Sequence, residues 1–541
     1  MKKVTTTVAA ALVALSFAAC NKTNNEAAPE LDGNTYSSVT ARIAAPSARA
    51  VTDNQEFVAG VGGEDLVNGG YVFFKDFAGV NVKLNEAKGK YTSNAFQTSK
   101  GTDVALTLLI NKPATLNLIA SDFTEGKKVG LNDLPSLINQ EEGFTMTGVT
   151  TNKVNITEGI TEEQAKKGTD ASKNNFDLGN VERVVAKAQA YRKDPLDAAG
   201  TDLTKYGALG TDFKWSLAGS AKESYLFADK AGANNQMDGT SQQYTGFESA
   251  VHNIKVGETV ETLANSLQKV SDTYTDATLT SNFAAKVLAK KEGDKSEVAA
   301  KSVFFFENSC KTHATAKGDT YPYKRFAYYK VYANLVPSAG KKLEGDNLVA
   351  AAATDYEQGR TYDVAISIET FDKLTTTGDA TGKVWDASKF TPVKSGDPEK
   401  ITHYTLKITD KPYTFYIGSD DVMYRGLDAA AKAGLTTVRK FDGGKMVYMT
   451  VVNRQKNADK ITINADTRRN NIYQITVDGF DALGLNYDPV DPKDPNIKQP
   501  DDNPFEPKPN PDKEIDETET WMRVSVSILQ WNHVTRNETL K

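Results

Sequence analysis

The sequence predicts an all-β chain built as two β-sandwich domains in tandem, with a few short helical insertions. Three observations carry this reading. The composition, with 22 tyrosines, 23 phenylalanines and abundant Thr, Val and Gly, favours strands and turns over helices. Short apolar runs recur between turn signals without the strand–helix alternation that builds a parallel sheet. At 541 residues the chain exceeds one hydrophobic core and folds without staples, since Cys20 and Cys310 are its only cysteines.

Residues 1–20 read as an export signal. Lys2 and Lys3 form the charged region, "VTTTVAAALVALSFAA" the apolar one, and "SFAAC" ends it with small residues before Cys20. That ending predicts a lipoprotein signal in which Cys20 is acylated, with an ordinary signal peptide as the alternative. No later segment approaches the roughly 20 apolar residues that span a bilayer. A polar tether follows, and then "YSSVTARIAAP" alternates Val39, Ala41 and Ile43 against Thr40 and Arg42, the period of a half-buried strand. Pro46 and its small neighbours end that strand, which leaves Arg49 in an open loop before Ala50.

Residues 50–226 form the predicted N-terminal sandwich, with strands in "GGYVFFKDF", "VALTLLI", "ATLNLIASDF", "FTMTGVTT" and "VERVVAKAQAY". "NKP" reads as a hairpin joining the runs at 104–110 and 114–120, and "LNDLPSLINQEE" as a helical connection. Residues 227–487 form the predicted C-terminal sandwich. It starts with a polar stretch, 227–300, in which Val260, Leu263 and Leu267 share a helical face. Strands resume with "SVFFFENS", "RFAYYKVYANLV", "TYDVAISIETF", "HYTLKITD", "YTFYIG", "KMVYMTVVN" and "NIYQITVDGF".

Residues 488–520 hold eight of the 18 prolines in an acidic setting and predict an extended, semi-rigid arm. Residues 521–541 follow, and in them "WMRVSVSILQW" alternates Met522, Val524, Val526 and Ile528 against Arg523, Ser525 and Ser527. Leu529 and Trp531 then change face. An apolar strand on a long arm must be received by something. It either returns to its own second domain or is donated to a neighbouring molecule.

The pattern excludes several functions. A net charge of −6 gives no basic stripe for nucleic acid. His252, His313, His403 and His533 lack metal-ligand spacing, "GVGGED" at 60–65 fails the dinucleotide pattern at Asp65, and "NNQMDG" lacks the terminal glutamate of a calcium loop. No cofactor, metal or catalytic residue is expected, and the chain is read as a non-enzyme.

The stretches "TLNLIASDF", "FTMTG", "VERVVAKAQ", "FFFENS", "FDGGKMVYMTVVN", "RRNNIYQITVDGFDALG" and "RVSVSILQW" resemble, in this order, the fimbrillins of Bacteroidetes. They look most like the shaft fimbrillins of the short (minor) fimbriae of Porphyromonas. The resemblance implies sandwiches of transthyretin-like or immunoglobulin-like type and export as an outer-membrane lipoprotein acylated at Cys20. It further implies a cut by an arginine-specific surface protease between Arg49 and Ala50, which removes the propeptide 21–49 with its strand Tyr36–Ala44. Met522, Val524, Val526, Ile528, Leu529 and Trp531 of another subunit then fill the groove. The implied partners are further copies of the chain, anchor and tip subunits, and host or bacterial surface receptors, with the mature form extracellular in surface fimbriae. The rival of another class is a lipid-anchored, monomeric adhesin or glycan-binding lipoprotein; a secreted hydrolase ranks third.

Overall fold

The computed structural model describes residues 35–43, 57–59, 62–74, 79–87, 89–119, 121–122, 127–130, 132–139, 141–148, 152–166, 170–193, 195–219, 223–227, 268–269, 271–274, 302–307, 327–452, 456–457, 460–461, 467–510 and 522–532. Strands dominate, and they build more than one core.

The first core lies within a ten-stranded sheet. Its path runs Val80–Val82, Gly70–Phe74, Gly101–Ile110, Met146–Gly148, Asn175–Arg183, Thr35–Ile43, Lys90–Ser93 and Leu84–Ala87. Strand Asn152–Ile156 pairs with Gly101–Ile110, and Phe96–Thr98 with Thr35–Ile43. Alternate residues turn inward, as a pleated strand requires, so Val39, Ala41, Val72, Phe74, Leu106, Leu108, Ile110, Met146 and Val181 share one buried cluster. Thr35–Ile43, the lead strand, is an interior strand here and not an edge.

The second core is a sandwich. One sheet orders Ser271–Tyr274, Ala186–Lys193, Asn471–Phe480, Met522–Asn532 and Phe57–Ala59, with Val303–Phe305 also on Ala186–Lys193. The other centres on Tyr328–Pro337, which pairs with Gly207–Leu209, Lys214–Ala218 and Lys445–Val451. Trp215, Leu217, Tyr329, Val331, Tyr448, Tyr473, Ile475, Val477 and Phe480 fill the space between them.

Three expectations about the fold are corrected. The run "VERVVAKAQAY" is two strands in two sheets, because the chain crosses from one sheet to the other at Val184 and Val185, both buried. The change of sheet thus falls at 184–185, inside the stretch 50–226 read as the N-terminal sandwich. The apolar run continues unbroken through the kink, so periodicity could not see it. The "NKP" hairpin is absent: Asn111 takes φ +52° and its amide donates to the Leu66 and Phe144 carbonyls, which turns the chain out of the sheet, and 114–119 holds no strand. The helical connection is a single turn, Leu134–Leu137.

Residues 338–444 also depart from a simple second sandwich. They insert between Tyr328–Pro337 and Lys445–Val451 and carry their own core of Val364, Ile366, Leu374, Trp385, Phe390, Leu406, Tyr416, Leu427 and Val438. The run "TYDVAISIETF" splits inside it. Strand Arg360–Ile366 ends where the Ser367 hydroxyl accepts from the Thr370 amide and caps helix Ile368–Thr376.

The proline-rich arm is corrected as well. Residues 488–510 do not run free; they lie on the protein as a strap with Asp488, Asp494, Ile497, Asn503 and Glu506 buried. Val260, Leu263, Leu267, Cys310 and the "NNQMDG" stretch lie outside the described residues. No helix among the described residues is long and apolar enough to cross a membrane.

Candidate functional site

The sequence singles out two strands, and the structure gives each its own seat. The lead strand runs parallel to Asn175–Arg183, with Ser38 opposite Asn175, Val39 opposite Phe176 and Ile43 opposite Val181. The register slips once, between Thr40 and Arg42, opposite Leu178 and Gly179, where φ is +72°. On its other side the strand is antiparallel to Lys90–Ser93 and Phe96–Thr98.

Its inward row is dry: Val39 and Ala41 are fully buried and Ile43 nearly so. The other row is hydroxylic. Ser38 Oγ donates to the Ala165 carbonyl at 2.5 Å and to Asn175 Oδ1 at 2.9 Å, Thr40 Oγ1 meets Thr92 Oγ1 at 3.2 Å, and the Val39 amide donates to Ser93 Oγ at 3.0 Å. Arg42, half exposed, pairs with Asp177 at 3.0 Å. The buried hydroxyls of Ser38 and Thr40 each have a partner, which lowers the cost of burying them. Vacating the seat bares two ladder edges and an apolar floor.

The tail strand, Met522–Asn532, lies in the other sheet of the same chain. It is antiparallel to Asn471–Phe480 from Met522 opposite Phe480 to Gln530 opposite Asn471, and Phe57–Ala59 pairs in parallel with Gln530–Asn532. Met522 and Val524 pack on the second core. Arg523 donates to the Ala198 carbonyl at 2.9 Å and lies 3.4 Å from Asp197 and 3.1 Å from Asp481. Ser525 Oγ donates to Asp478 at 2.7 Å. Ladder positions are described for Val526, Ile528, Leu529 and Trp531, while their side chains, like Cys20, Arg49, Ala44 and Ala50 altogether, lie outside the described residues.

Two clusters that sequence reasoning missed tie distant parts of the chain together. At the domain junction the turn Gly62–Asp65 presents Glu64 to Lys187 at 2.8 Å and Asp65 to Arg183 at 2.5 Å, and Arg183 also donates to Asn470 Oδ1. Glu64, Lys187 and Arg183 are buried. "GVGGED" therefore ties the chain just after Phe57–Ala59 to both domains, a role that only the distant partner residues reveal.

The second cluster is the strap. Fully buried Lys330 meets Asp494 at 2.5 Å and Asp488 at 3.1 Å, while Tyr332 and Tyr328 donate to those same two carboxylates. Burial opposes the Lys330 charge, but Tyr332 and the two aspartates outweigh it and its pKa rises. Burial likewise pushes against ionised Asp494, and Lys330 reverses that and pulls its pKa down. Further along, Lys440 Nζ donates to Asp502 at 2.5 Å, and the Phe505 carbonyl accepts from the Val438 amide. Glu506 accepts from the Lys440 amide, Asn486 and Asn503, yet burial raises its pKa to about 7. The strap thus fastens the insert to the sandwich. Its alternating Pro and Asp residues looked solvated because each lysine partner lies far away in sequence.

The described residues hold no group of His, Cys, Asp or Glu arranged to bind a metal. His403, the one histidine among them, hydrogen-bonds its neighbour Thr402 at 3.1 Å and lies opposite Val393 in the ladder.

Residues 439–537 match the family model described as "Major fimbrial subunit protein type IV, Fimbrillin, C-terminal". The matched stretch contains both the tail strand and its home partner Asn471–Phe480. No curated protein matches the chain significantly. Among solved structures the chain is similar to a fimbrillin from Porphyromonas gingivalis W83, at 13% identity and TM-score 0.41 over 94% of this chain and 100% of that one. It is similar to a putative cell adhesion protein from Parabacteroides distasonis, at 12% identity and TM-score 0.39 over 94% and 100%. A third is the tip fimbrial protein from Porphyromonas gingivalis with C-terminal truncation, at 12% identity and TM-score 0.30 over 92% and 99%.

Proposed function

The chain is a fimbrillin by its C-terminal region, residues 439–537, and on that premise we propose that it is a structural shaft subunit of a cell-surface fimbrium. It is exported as a lipoprotein acylated at Cys20 and cut at Arg49–Ala50 by an arginine-specific surface protease. It polymerises when the tail of one subunit fills the groove that the lead strand of the next has left.

One observation carries this reading: the lead strand is an interior strand, with ladder partners on both sides and a fully buried apolar row. Losing it opens a strand-shaped vacancy, the acceptor that β-strand addition needs. The tail's apolar side chains pass from one seat to another, Met522 and Val524 leaving the second core, so the exchange is driven by the difference between the two seats, to which the small Ala41 in the middle of the lead strand's row contributes. Donor and acceptor are different surfaces, so the contact does not close on itself and propagates as a filament. In the uncut chain both seats are filled from within, which keeps the precursor monomeric.

The home pairing of the tail with Asn471–Phe480 favours a second reading, a lipid-anchored surface adhesin that stays monomeric. N-terminal sequencing of surface material separates the two. A start at Ala50 in high-molecular-weight ladders supports the fimbrial subunit; an acylated Cys20 on a monomer contradicts it.

A further inference from the structure

Resting on that strand-exchange reading, we propose that the tail enters the vacated groove in the direction opposite to the lead strand, and in one register. Ser527, Val526, Ser525, Val524, Arg523 and Met522 then take the places of Ser38, Val39, Thr40, Ala41, Arg42 and Ile43.

The groove states what it accepts, position by position. Ser38 is 2% exposed and spends its hydroxyl on the Ala165 carbonyl and Asn175. Val39 is fully buried, and Thr40, at 4%, meets the Thr92 hydroxyl. Ala41 is fully buried, Arg42 stands at the surface beside Asp177, and Ile43 closes the row at 7%. The required order is hydroxyl, apolar, hydroxyl, apolar, guanidinium, apolar. Read backward from 527, the tail supplies Ser, Val, Ser, Val, Arg, Met.

Forward entry fails on the same terms. Setting Val524, Val526 and Ile528 on Val39, Ala41 and Ile43 drives Arg523 into the buried place of Ser38, an unpaired charge in a dry site. It also leaves Ser527 beside Asp177. Sliding the tail so that Ser525 and Ser527 replace Ser38 and Thr40 puts Leu529 beside Asp177 and Gln530 on the apolar place of Ile43. Only the reversed register satisfies the carboxylate, both hydroxyl sites and the apolar row together.

Reversal leaves the ladder balanced. The lead strand is parallel to Asn175–Arg183, its longest neighbour. A reversed tail is antiparallel to it and parallel to Lys90–Ser93 and Phe96–Thr98, so the ladder exchanges one sense for the other on its two sides and the side chains choose the direction. Within 38–43 the groove must give way where Val524 replaces Ala41, and the register already slips there; beyond it Ile528 falls on Ser37, whose hydroxyl meets Thr98. At home the tail meets the same demands: Arg523 faces Asp197 and Asp481, and Ser525 faces Asp478. One alternation of hydroxyl, apolar and guanidinium therefore fits two seats.

Cysteine pairs test direction apart from exchange itself. Asn180 is exposed and lies opposite Arg42 in the ladder. In full-length Cys310→Ser protein, cleaved and assembled, Asn180→Cys with Arg523→Cys should give intermolecular disulfide ladders at least tenfold stronger than Asn180→Cys with Ser527→Cys. The opposite preference would overturn the reversed register while leaving strand exchange standing. Assembled polymer in which neither pair links would also overturn the reversed register. Should the cysteine variants not assemble, a charge swap decides: Asp177→Arg or Arg523→Asp alone should slow assembly at least tenfold and the two together restore it. Failure of that rescue would overturn the register.

Discussion

Weakening the lead strand without touching the tail isolates its release as a step. Val39 is fully buried in the first core, and its amide is held by Ser93 Oγ at 3.0 Å. Val39→Ala keeps that backbone bond and removes two methyl groups, worth about 1.6 kcal/mol of transfer, plus a cavity term that raises the loss to about 2–3 kcal/mol. In the uncut chain the cost appears as a melting temperature lower by roughly 4–10 °C. After the cut it appears as faster departure of the strand, because the strand is no longer tethered. A barrier lower by 2–3 kcal/mol is a roughly 30- to 150-fold faster exchange. The assay is binding of a fluorescent peptide of residues 522–532 to protein pre-cut at Arg49, followed in time. A variant that melts earlier yet takes up the peptide at the wild-type rate would refute lead-strand release as the limiting step.

The other predictions follow from the same contacts. Lys330→Met strands Asp488 and Asp494 in a dry site and should destabilise the strap by about 3–5 kcal/mol; proteolysis within 488–510 should then become fast, and unchanged resistance would show that the strap does not depend on this lysine. Glu506 has a folded pKa of about 7, above its ordinary 4.5. Its contribution is complete below about 4.5 and is lost as pH rises through 7, by up to about 3 kcal/mol. Amide exchange at Lys440, which donates to Glu506, should slow on acidification relative to a distant core amide, and a flat ratio would contradict the raised pKa. Deleting 521–541 should leave an exported monomer that cannot polymerise, and normal fibres from it would exclude tail donation. Arg49→Ala should hold the chain uncut, and efficient assembly by that variant would remove the protease from the scheme.

What the sequence made legible, and what it hid, divides along the range of the interactions. Val39, Ala41 and Ile43 alternate with polar residues, and that local period suffices to find the lead strand and its dry face. The alternation from Met522 to Ile528 does the same for the tail. Neighbour relations were not legible: nothing in "SVTARI" tells that its longest partner is parallel, or that it sits inside the sheet. The crossing at Val184–Val185 was hidden because both residues are apolar and buried, so the run reads as one strand. The strap is hidden for the converse reason. Asp488, Asp494 and Glu506 look like solvated charges until Lys330, Asn486 and the Lys440 amide are seen to answer them. The insert at 338–444 escaped because its strands share the period of the sandwich that they interrupt.

The central claim is that a neighbour's tail replaces the lead strand. Fibres assembled from equal amounts of light and heavy isotope-labelled subunits, cross-linked and mapped by mass spectrometry, test it most directly. The account predicts that links from 522–532 to Asn175–Arg183 and Lys90–Ser93 appear as mixed light–heavy pairs in fibres whose chains begin at Ala50. Tail links that reach only Asn471–Phe480, never mixed, would contradict it.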